Sequence, residues 1–190
     1  MEFIQHNWGW ILLGFVIITL VLMYNSLIAR KNMVENMFGS IDALLKQRYD
    51  MIPNLVASVK EYMKHEKEVL EKITELRSLA LNAKSDDEKI DIENRLEGLL
   101  SKLMVNVENY PELKANENFL QLQNTLKDIE DRISAARRAY NQAVTDYNNA
   151  IEMFPTNIMA SIFHFNRKKV FEIPESERGN VDVGGLFKDN

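Results

Sequence analysis

The three histidines are the residues that could most readily bind a metal or move a proton near neutral pH. They are His6, His65 and His164, which lie far apart in sequence, and the chain has no cysteine. Glu61 precedes His65 by four residues, whereas di-iron sites in helical bundles use a glutamate and a histidine three residues apart, in two copies. Without cysteine, disulfides and thiolate metal sites are excluded. The sequence therefore predicts no metal site.

Two runs of charged residues, KHEKE at 64–68 and DDEK at 86–89, could be taken for clusters of ligands. Alternating signs on a helix are typical of a solvated face with ion pairs between residues four apart, and we interpret both runs in that way. The sequence contains no phosphate-binding glycine loop and no serine nucleophile elbow. We therefore expect no catalytic residue, no cofactor and no enzymatic activity. The net charge of −5 also argues against nucleic acid as a partner.

Tyr140 and Tyr147 form the most regular aromatic pattern, because each is followed by an asparagine, Asn141 and Asn148. Their separation of seven residues is close to two helical turns, so both rings face the same side of a helix. We interpret the rings as core residues that keep one polar end hydrated or bonded, rather than as part of an active site. The asparagines beside them are predicted to make buried hydrogen bonds.

A second aromatic group lies close to the C-terminal end of the patterned sequence. Phe163 and Phe165 precede the basic residues Arg167, Lys168 and Lys169. This composition allows contact with anionic lipid headgroups, and it equally allows a last amphipathic turn that packs on the preceding helices. The second interpretation is favoured, and the first stays open.

An apolar segment near the N-terminus must position everything that follows it. No aspartate, glutamate, lysine or arginine occurs between Glu2 and Arg30, and residues 8–24 are almost wholly apolar. As a helix this stretch would span about 25 Å, and about 30 Å if it continues through Ile28, which matches the hydrocarbon core of a bilayer. We predict a transmembrane helix at residues 8–28.

Aromatic and basic residues mark the two ends of this helix. Trp8 and Trp10 lie at one end and Tyr24 at the other, which is typical of the headgroup interfaces. Arg30 and Lys31 follow the helix, and the positive-inside rule then predicts that the C-terminal part lies in the cytoplasm. A cleaved signal peptide is the alternative, but the residues before the apolar run include an acid and no lysine or arginine, and no A-x-A-like cleavage site follows it. We therefore expect the helix to be retained.

Beyond the membrane helix, apolar residues recur every three or four positions, which predicts further helices. The first soluble helix is expected to continue directly from the membrane helix. Pro53 interrupts its apolar stripe, so we predict a kink at residues 48–52, with Asp50 as the cap of a restarted helix.

Three later signals divide the remaining chain. Ser85 followed by Glu88 has the pattern of a capping box at the start of a new helix. That helix is predicted to end before Pro111. The longest stripe then runs from Phe119 to Phe154, over a predicted 36-residue helix of about 54 Å.

Three to four long helices with apolar stripes and short connections predict an all-α protein, in which a transmembrane helix precedes an elongated antiparallel helical bundle. We assign residues 1–7 to a short non-cytoplasmic N-terminus and residues 8–28 to the membrane helix. Residues 29–172 form the predicted bundle domain. Residues 173–190 are predicted to be a mobile tail.

Several stretches of this sequence resemble the LemA family of bacterial membrane proteins. The matching stretches are Tyr24-Asn25, SIDALLKQRYDMIPNLVASVKEY at 40–62, ENYPELKANENFLQLQNTLKDIEDRISAARRAYNQAVTDYNNAIEMFP at 108–155 and FNRKKVFE at 165–172. The resemblance covers most of the chain and departs from the family at His164, where glycine is commoner. It implies a short outer N-terminus, one transmembrane helix and a cytoplasmic helical bundle. It implies no catalytic residues.

The resemblance also directs the functional hypotheses. Magnetosome-associated relatives and gene neighbourhoods with other membrane proteins, including membrane metalloproteases, imply a scaffold or envelope-maintenance role. We therefore expect a self-associating, homo-oligomeric scaffold or interaction protein in the inner membrane; the alternative is a regulatory adaptor of a membrane protease or signalling system. The residues expected to shape the bundle or a partner surface are Tyr49, Asp50, Pro53, Asn54, Tyr140, Asn141, Tyr147 and Asn148.

Overall fold

A computed structural model describes the backbone of residues 2–172 and the side chains of residues 8–172. Every regular element in this range is a helix, and no strand occurs in it, so the predicted all-α class is confirmed. The helices are α1 (Glu2–Lys60), α2 (Lys67–Leu81), α3 (Asp86–Val107), α4 (Pro111–Lys114), α5 (Glu117–Glu152) and α6 (Thr156–Ile162), with a short 3-10 turn at Lys64–Glu66. The tail predicted at residues 173–190 and the side chains of the predicted segment 1–7 lie outside the described residues.

Helix α1 is the one helix among the described residues that is long and apolar enough to cross a bilayer. Its large apolar side chains from Trp8 to Leu22 are exposed, whereas the core helix of a soluble protein would bury them. The helix then continues without a break into the bundle, as the sequence predicted. An apolar N-terminal helix of this kind fits a single-pass membrane anchor.

The predicted restart of a helix at Asp50 is wrong, because α1 continues through Pro53 to Lys60. Proline has no amide hydrogen, so the carbonyl of Tyr49, four residues earlier, loses its usual helical partner. In the structure Arg77 of α2 donates from Nε to that carbonyl oxygen at 2.6 Å. A side chain from another helix thus replaces the missing backbone donor, which removes one reason for the helix to stop.

The other predicted helix ends agree with the structure. Ser85 caps α3, because its Oγ accepts the Glu88 amide at 3.2 Å. The Glu88 carboxylate reaches back to the amide of Lys84 at 2.8 Å, one residue before the position that the standard capping box uses. Helix α5 has the predicted length of 36 residues, and Asn116 Oδ1 accepts the Phe119 amide at its start.

The chain packs as two compact units. Among the described residues, the first comprises residues 2–45 and 131–170, and the second comprises residues 46–130 and 171–172. In the first unit α1 and α5 run antiparallel: the rings of Phe38 and Tyr140 lie 5.7 Å apart, while Glu35, earlier in α1, influences Tyr147, later in α5. The second unit buries side chains of α1, α2, α3 and α5, among them Leu55, Ile73, Leu96 and Phe119.

Candidate functional site

The most unusual site in the described residues is a group of charged side chains inside the second unit. Arg48 of α1 is 1% exposed, and Glu93 of α3 is fully buried beside it. Arg48 Nη1 donates to Glu97 Oε2 and to Glu130 Oε2, both at 2.7 Å, and Nη2 pairs with Glu93. The Tyr49 hydroxyl donates to the other oxygen of Glu93. We name these four charged residues the Arg48 cluster.

The Arg48 cluster holds one cation against three carboxylates, so its net charge would be negative if every carboxyl were ionised. Burial alone would lower the pKa of the Arg48 guanidinium, but Glu93, Glu130 and Glu97 outweigh burial and raise that pKa above its usual range. Burial raises the pKa of Glu130; Arg48 opposes this rise, while repulsion and a hydrogen bond from Glu97 add to it. Arg48 is therefore charged at every pH at which the protein folds, and Glu130 holds a proton more tightly than an ordinary glutamate.

Three carboxylates close together could in principle bind a cation. The guanidinium of Arg48 is bonded to all three of them, and the described residues contain no group of acidic or histidine side chains arranged to hold a metal ion. The Arg48 cluster links α1, α3 and α5 through charge-assisted hydrogen bonds, and these bonds fix the register of the three helices. Its geometry makes it a structural cross-link.

Sequence reasoning did not identify the Arg48 cluster. One signal was available, because Arg48 occupies a core position in the stripe between Leu45 and Ile52, and Glu93 similarly lies between Ile90 and Leu96. A charged residue at a core position of two separate helices is a sign of a buried ion pair.

A second polar arrangement lies inside the first unit, between α5 and the segment at residues 166–169. The hydroxyls of Tyr140 and Tyr147 donate to the carbonyls of Lys169 and Asn166 at 3.0 and 2.9 Å. Asn148 donates to the carbonyl of Lys168 and accepts its amide, both at 2.9 Å. We name the three α5 side chains, Tyr140, Tyr147 and Asn148, the α5 clamp.

The α5 clamp explains part of the Tyr-Asn pattern. Tyr140, Tyr147 and Asn148 are buried, as predicted, and the hydrogen bonds of Asn148 are of the predicted kind. Burial raises the pKa of the Tyr147 hydroxyl, and the nearby Glu35 carboxylate adds to this rise, so the hydroxyl keeps its donated proton. Asn141, which directly follows Tyr140, is half-buried.

The chain reaches the α5 clamp through a tight turn at the end of α6. Phe165 donates from its amide to the Ala160 carbonyl at 2.9 Å, and His164 donates to the Ser161 carbonyl at 3.4 Å, which together form a Schellman motif. His164 occupies the left-handed position with φ = 55°. Glycine adopts this conformation without steric cost, so the structure gives a physical reason for the commoner glycine at this position.

The residues expected to shape the bundle or a partner surface are divided between the two units. Tyr49 is buried in contact with the Arg48 cluster, whereas Asp50, Pro53 and Asn54 are exposed. The α5 clamp lies in the other unit. Of the predicted membrane-interface residues, Trp8, Trp10 and Arg30 are exposed. Tyr24 is half-buried and its ring contacts that of Phe163. Lys31 Nζ lies 3.8 Å from a carboxylate oxygen of Glu35, four residues later in the same helix.

The model of the LemA family matches residues 37–184, which include the Arg48 cluster and the α5 clamp. The chain belongs to the LemA family. Protein LemA of Metamycoplasma hominis is 30% identical over 180 residues, which cover 90% of this chain and 82% of that protein.

Magnetosome proteins form a second group of relatives. Magnetosome protein MamQ 2 of Paramagnetospirillum magneticum is 33% identical over 84 residues, and magnetosome protein MamQ of Magnetospirillum gryphiswaldense is 32% identical over the same length. These matches cover 44% of this chain and 30% of each magnetosome protein. None of these names is that of an enzyme, and together with the apolar helix they support a membrane-associated protein.

Proposed function

We propose that this LemA-family protein is a non-enzymatic scaffold or interaction protein of the bacterial cell envelope, and that it self-associates. The observation that carries the proposal is the continuity of α1, which runs from the predicted membrane span into both compact units without a linker. A continuous helix fixes the height of the attached helices above the bilayer, which suits a protein that presents a surface to neighbours in the same membrane.

The use of the buried polar groups supports a structural role. Arg48, Glu93 and Tyr49 bond to one another in the second unit, and the α5 clamp bonds to backbone atoms in the first. The atoms that form these hydrogen bonds have their partners within the fold, whereas the buried Nε of Arg48 has none among the described residues. The surface, rather than a buried pocket, is then the part that acts on partners.

The proposed location is the inner membrane of a bacterium, with the N-terminus outside and the helical units in the cytoplasm. The basic residues Arg30 and Lys31, directly after the apolar segment, support this orientation. Because the chain has no cysteine, Glu2→Cys and Ala139→Cys each introduce a unique thiol. In intact cells a membrane-impermeant maleimide should label the Glu2→Cys variant and not the Ala139→Cys variant. Labelling of the Ala139→Cys variant alone would show that the protein has the opposite orientation.

Self-association is tested by the mass of the full-length protein in mild detergent and in native nanodiscs. We expect a defined oligomer, and we expect unique thiols at exposed α5 positions, such as Ala135→Cys and Ala139→Cys, to form disulfide-linked dimers in membranes. A monomer that brings down no second protein would contradict the proposal. A monomer that brings down a membrane protease would favour the regulatory adaptor instead.

A further inference from the structure

Several large apolar side chains are exposed around α6, although this helix lies in a folded unit of the protein. Phe154 is 79% exposed and Ile162 is 61% exposed, while Met159 and Ala160 on the opposite side of the helix are buried. The exposed apolar residues are Met153, Phe154, Ile158, Ile162 and Phe163, and we name them the α6 apolar face. A group of this kind on a folded surface marks an interaction site.

Ring contacts place one end of the α6 apolar face at the end of the membrane helix. The ring centroids of Tyr24 and Phe163 are 4.7 Å apart, and those of Tyr24 and Phe165 are 6.3 Å apart. Tyr24 is the aromatic residue predicted to mark the headgroup level. Leu27, less than one turn later in α1, is already fully buried, so the folded unit begins directly at this level.

Helix geometry places the other end of the α6 apolar face at the same level. Phe38 of α1 contacts Tyr140 of α5, and the two helices are antiparallel. From that contact, 14 residues lead back to Tyr24, which is about 21 Å along α1, and 12 residues lead forward to Glu152, the last residue of α5, which is about 18 Å along α5. The end of α5, which Phe154 follows by two residues, therefore lies within about one helical turn of the level of Tyr24, at the predicted surface of the bilayer.

The charges beside the α6 apolar face suit an anionic lipid surface. Arg167, Lys168 and Lys169 follow it, and Glu152, which pairs with Arg167, is the acidic residue that precedes it. Three basic residues against one acidic residue leave two positive charges in this segment, with the histidine neutral. Basic residues next to exposed aromatic and aliphatic side chains are characteristic of helices that lie in the headgroup region.

We propose that the α6 apolar face inserts into the headgroup and acyl boundary of the same bilayer that α1 spans. The occupant of this face is lipid, because the face is level with Tyr24, adjoins the membrane helix and is followed by basic residues. The proposal rests on the membrane anchor proposed above and adds a second membrane contact to it. Two contacts would fix the first unit against the bilayer, whereas the single helix alone leaves it free to rotate.

The test uses the full-length protein in vesicles of phosphatidylcholine and phosphatidylglycerol, with unique thiols labelled by a fluorophore. Ile158→Cys and Ile162→Cys report on the α6 apolar face, and Ile18→Cys reports on the membrane helix. Ala139→Cys is the matched control, because Ala139 is exposed on α5 of the same unit, about 20 Å along the helix from Glu152, where α5 ends. Brominated lipid quenches labels in the bilayer, and iodide quenches labels in water.

We expect brominated lipid to quench the labels at 158 and 162 as it quenches the label at 18. The emission of these two labels should also be blue-shifted relative to that of the label at 139, and iodide should quench them less than it quenches the label at 139. Labels at 158 and 162 that respond to iodide as the label at 139 does would overturn the proposal. Labels shielded from both quenchers would also overturn it, because a second copy or a partner protein would then cover the face. If the label at 18 is not quenched by brominated lipid, the membrane anchor itself is wrong.

Discussion

Each compact unit buries an arginine, Arg48 in the second and Arg137 in the first, but the Arg48 cluster and the α5 clamp bond through different kinds of groups. In the second unit the Arg48 cluster joins three helices through full charges, with one guanidinium against three carboxylates. In the first unit the α5 clamp holds the segment at residues 166–169 through hydroxyl and amide groups that bond to backbone atoms. Both arrangements form hydrogen bonds with buried polar atoms, but only the Arg48 cluster contains carboxyl groups, whose charge changes between mildly acidic and neutral pH.

This difference has consequences for stability. A buried charge that loses its partner costs several kcal/mol, whereas a neutral hydrogen bond contributes about 1 kcal/mol. The Arg48 cluster should therefore respond strongly to mutation and to pH, and the α5 clamp should respond moderately to mutation and little to pH. Five substitutions test this comparison, and each is followed by denaturant unfolding of the full-length protein in mild detergent, with circular dichroism as the signal.

Arg48→Met should have the largest effect. It leaves Glu93, Glu97 and Glu130 close together without their cation, and we expect a loss of about 3–5 kcal/mol in the free energy of unfolding. Arg95→Met is the matched control, because Arg95 is exposed on α3, and it should change stability by less than about 0.5 kcal/mol. Equal losses for the two variants would show that the cluster does not link the helices.

Asn148→Ala should have the next largest effect, because it removes two hydrogen bonds of the α5 clamp to Lys168. We expect a loss of about 2 kcal/mol, at about 1 kcal/mol for each bond. Asn149→Ala is the control, since Asn149 is exposed. The loss should be the same in mildly acidic and in neutral buffer, and a strong pH dependence would remove the distinction between the two units.

Arg77→Met tests the replacement of the backbone donor that Pro53 lacks. We expect a loss of about 1.5 kcal/mol, because the Tyr49 carbonyl loses a charged donor. In a Pro53→Ala background the new amide can bond to that carbonyl, so the same change should cost less. If Arg77→Met lowers the free energy of unfolding equally in both backgrounds, Arg77 does not replace the missing amide of Pro53. The continuity of α1 past Pro53 would then need another explanation.

Glu130→Gln should stabilise the protein at neutral pH, by about 1 kcal/mol at most, because the carboxylate is partly exposed and screened. The pKa of Glu130 is raised in the folded state, so the folded protein binds this proton more tightly than the unfolded chain does. The stability of the wild-type protein therefore falls as the pH rises from the pKa of Glu130 in the unfolded chain through its pKa in the folded protein. Glutamine carries no charge, so its benefit should disappear below the ordinary glutamate pKa. Glu61→Gln, at an exposed position, is the control, and a gain of equal size there would contradict the prediction.

His164→Gly should have the smallest effect, a stabilisation of about 0.5 kcal/mol. The left-handed conformation at φ = 55° costs a side-chain-bearing residue about 1 kcal/mol or more, and the greater freedom of glycine in the unfolded chain offsets part of that gain. Ser161→Gly, inside α6, should instead destabilise the protein by up to about 1 kcal/mol. Destabilisation by both changes would show that the His164 side chain contributes contacts that outweigh the backbone conformation.

The sequence by itself determined the features that depend on neighbours within one or two helical turns. Apolar spacing predicted the helices, Ser85 and Glu88 predicted the start of α3, and the seven-residue spacing of Tyr140 and Tyr147 predicted their burial. The uncharged N-terminal stretch predicted a helix able to span a bilayer. Such features follow from local periodicity and capping chemistry, which adjacent residues encode directly.

Only the tertiary structure decided which distant polar groups meet. Arg48 bonds to carboxylates that lie 45, 49 and 82 residues later in the chain, and Arg77 bonds to a carbonyl 28 residues earlier. A helical period gives the face on which a residue lies, but not the register of one helix against another. That register is fixed only when the helices pack together. The same packing determined the continuity of α1 past Pro53, the bonds of the α5 clamp and the position of α6 beside Tyr24.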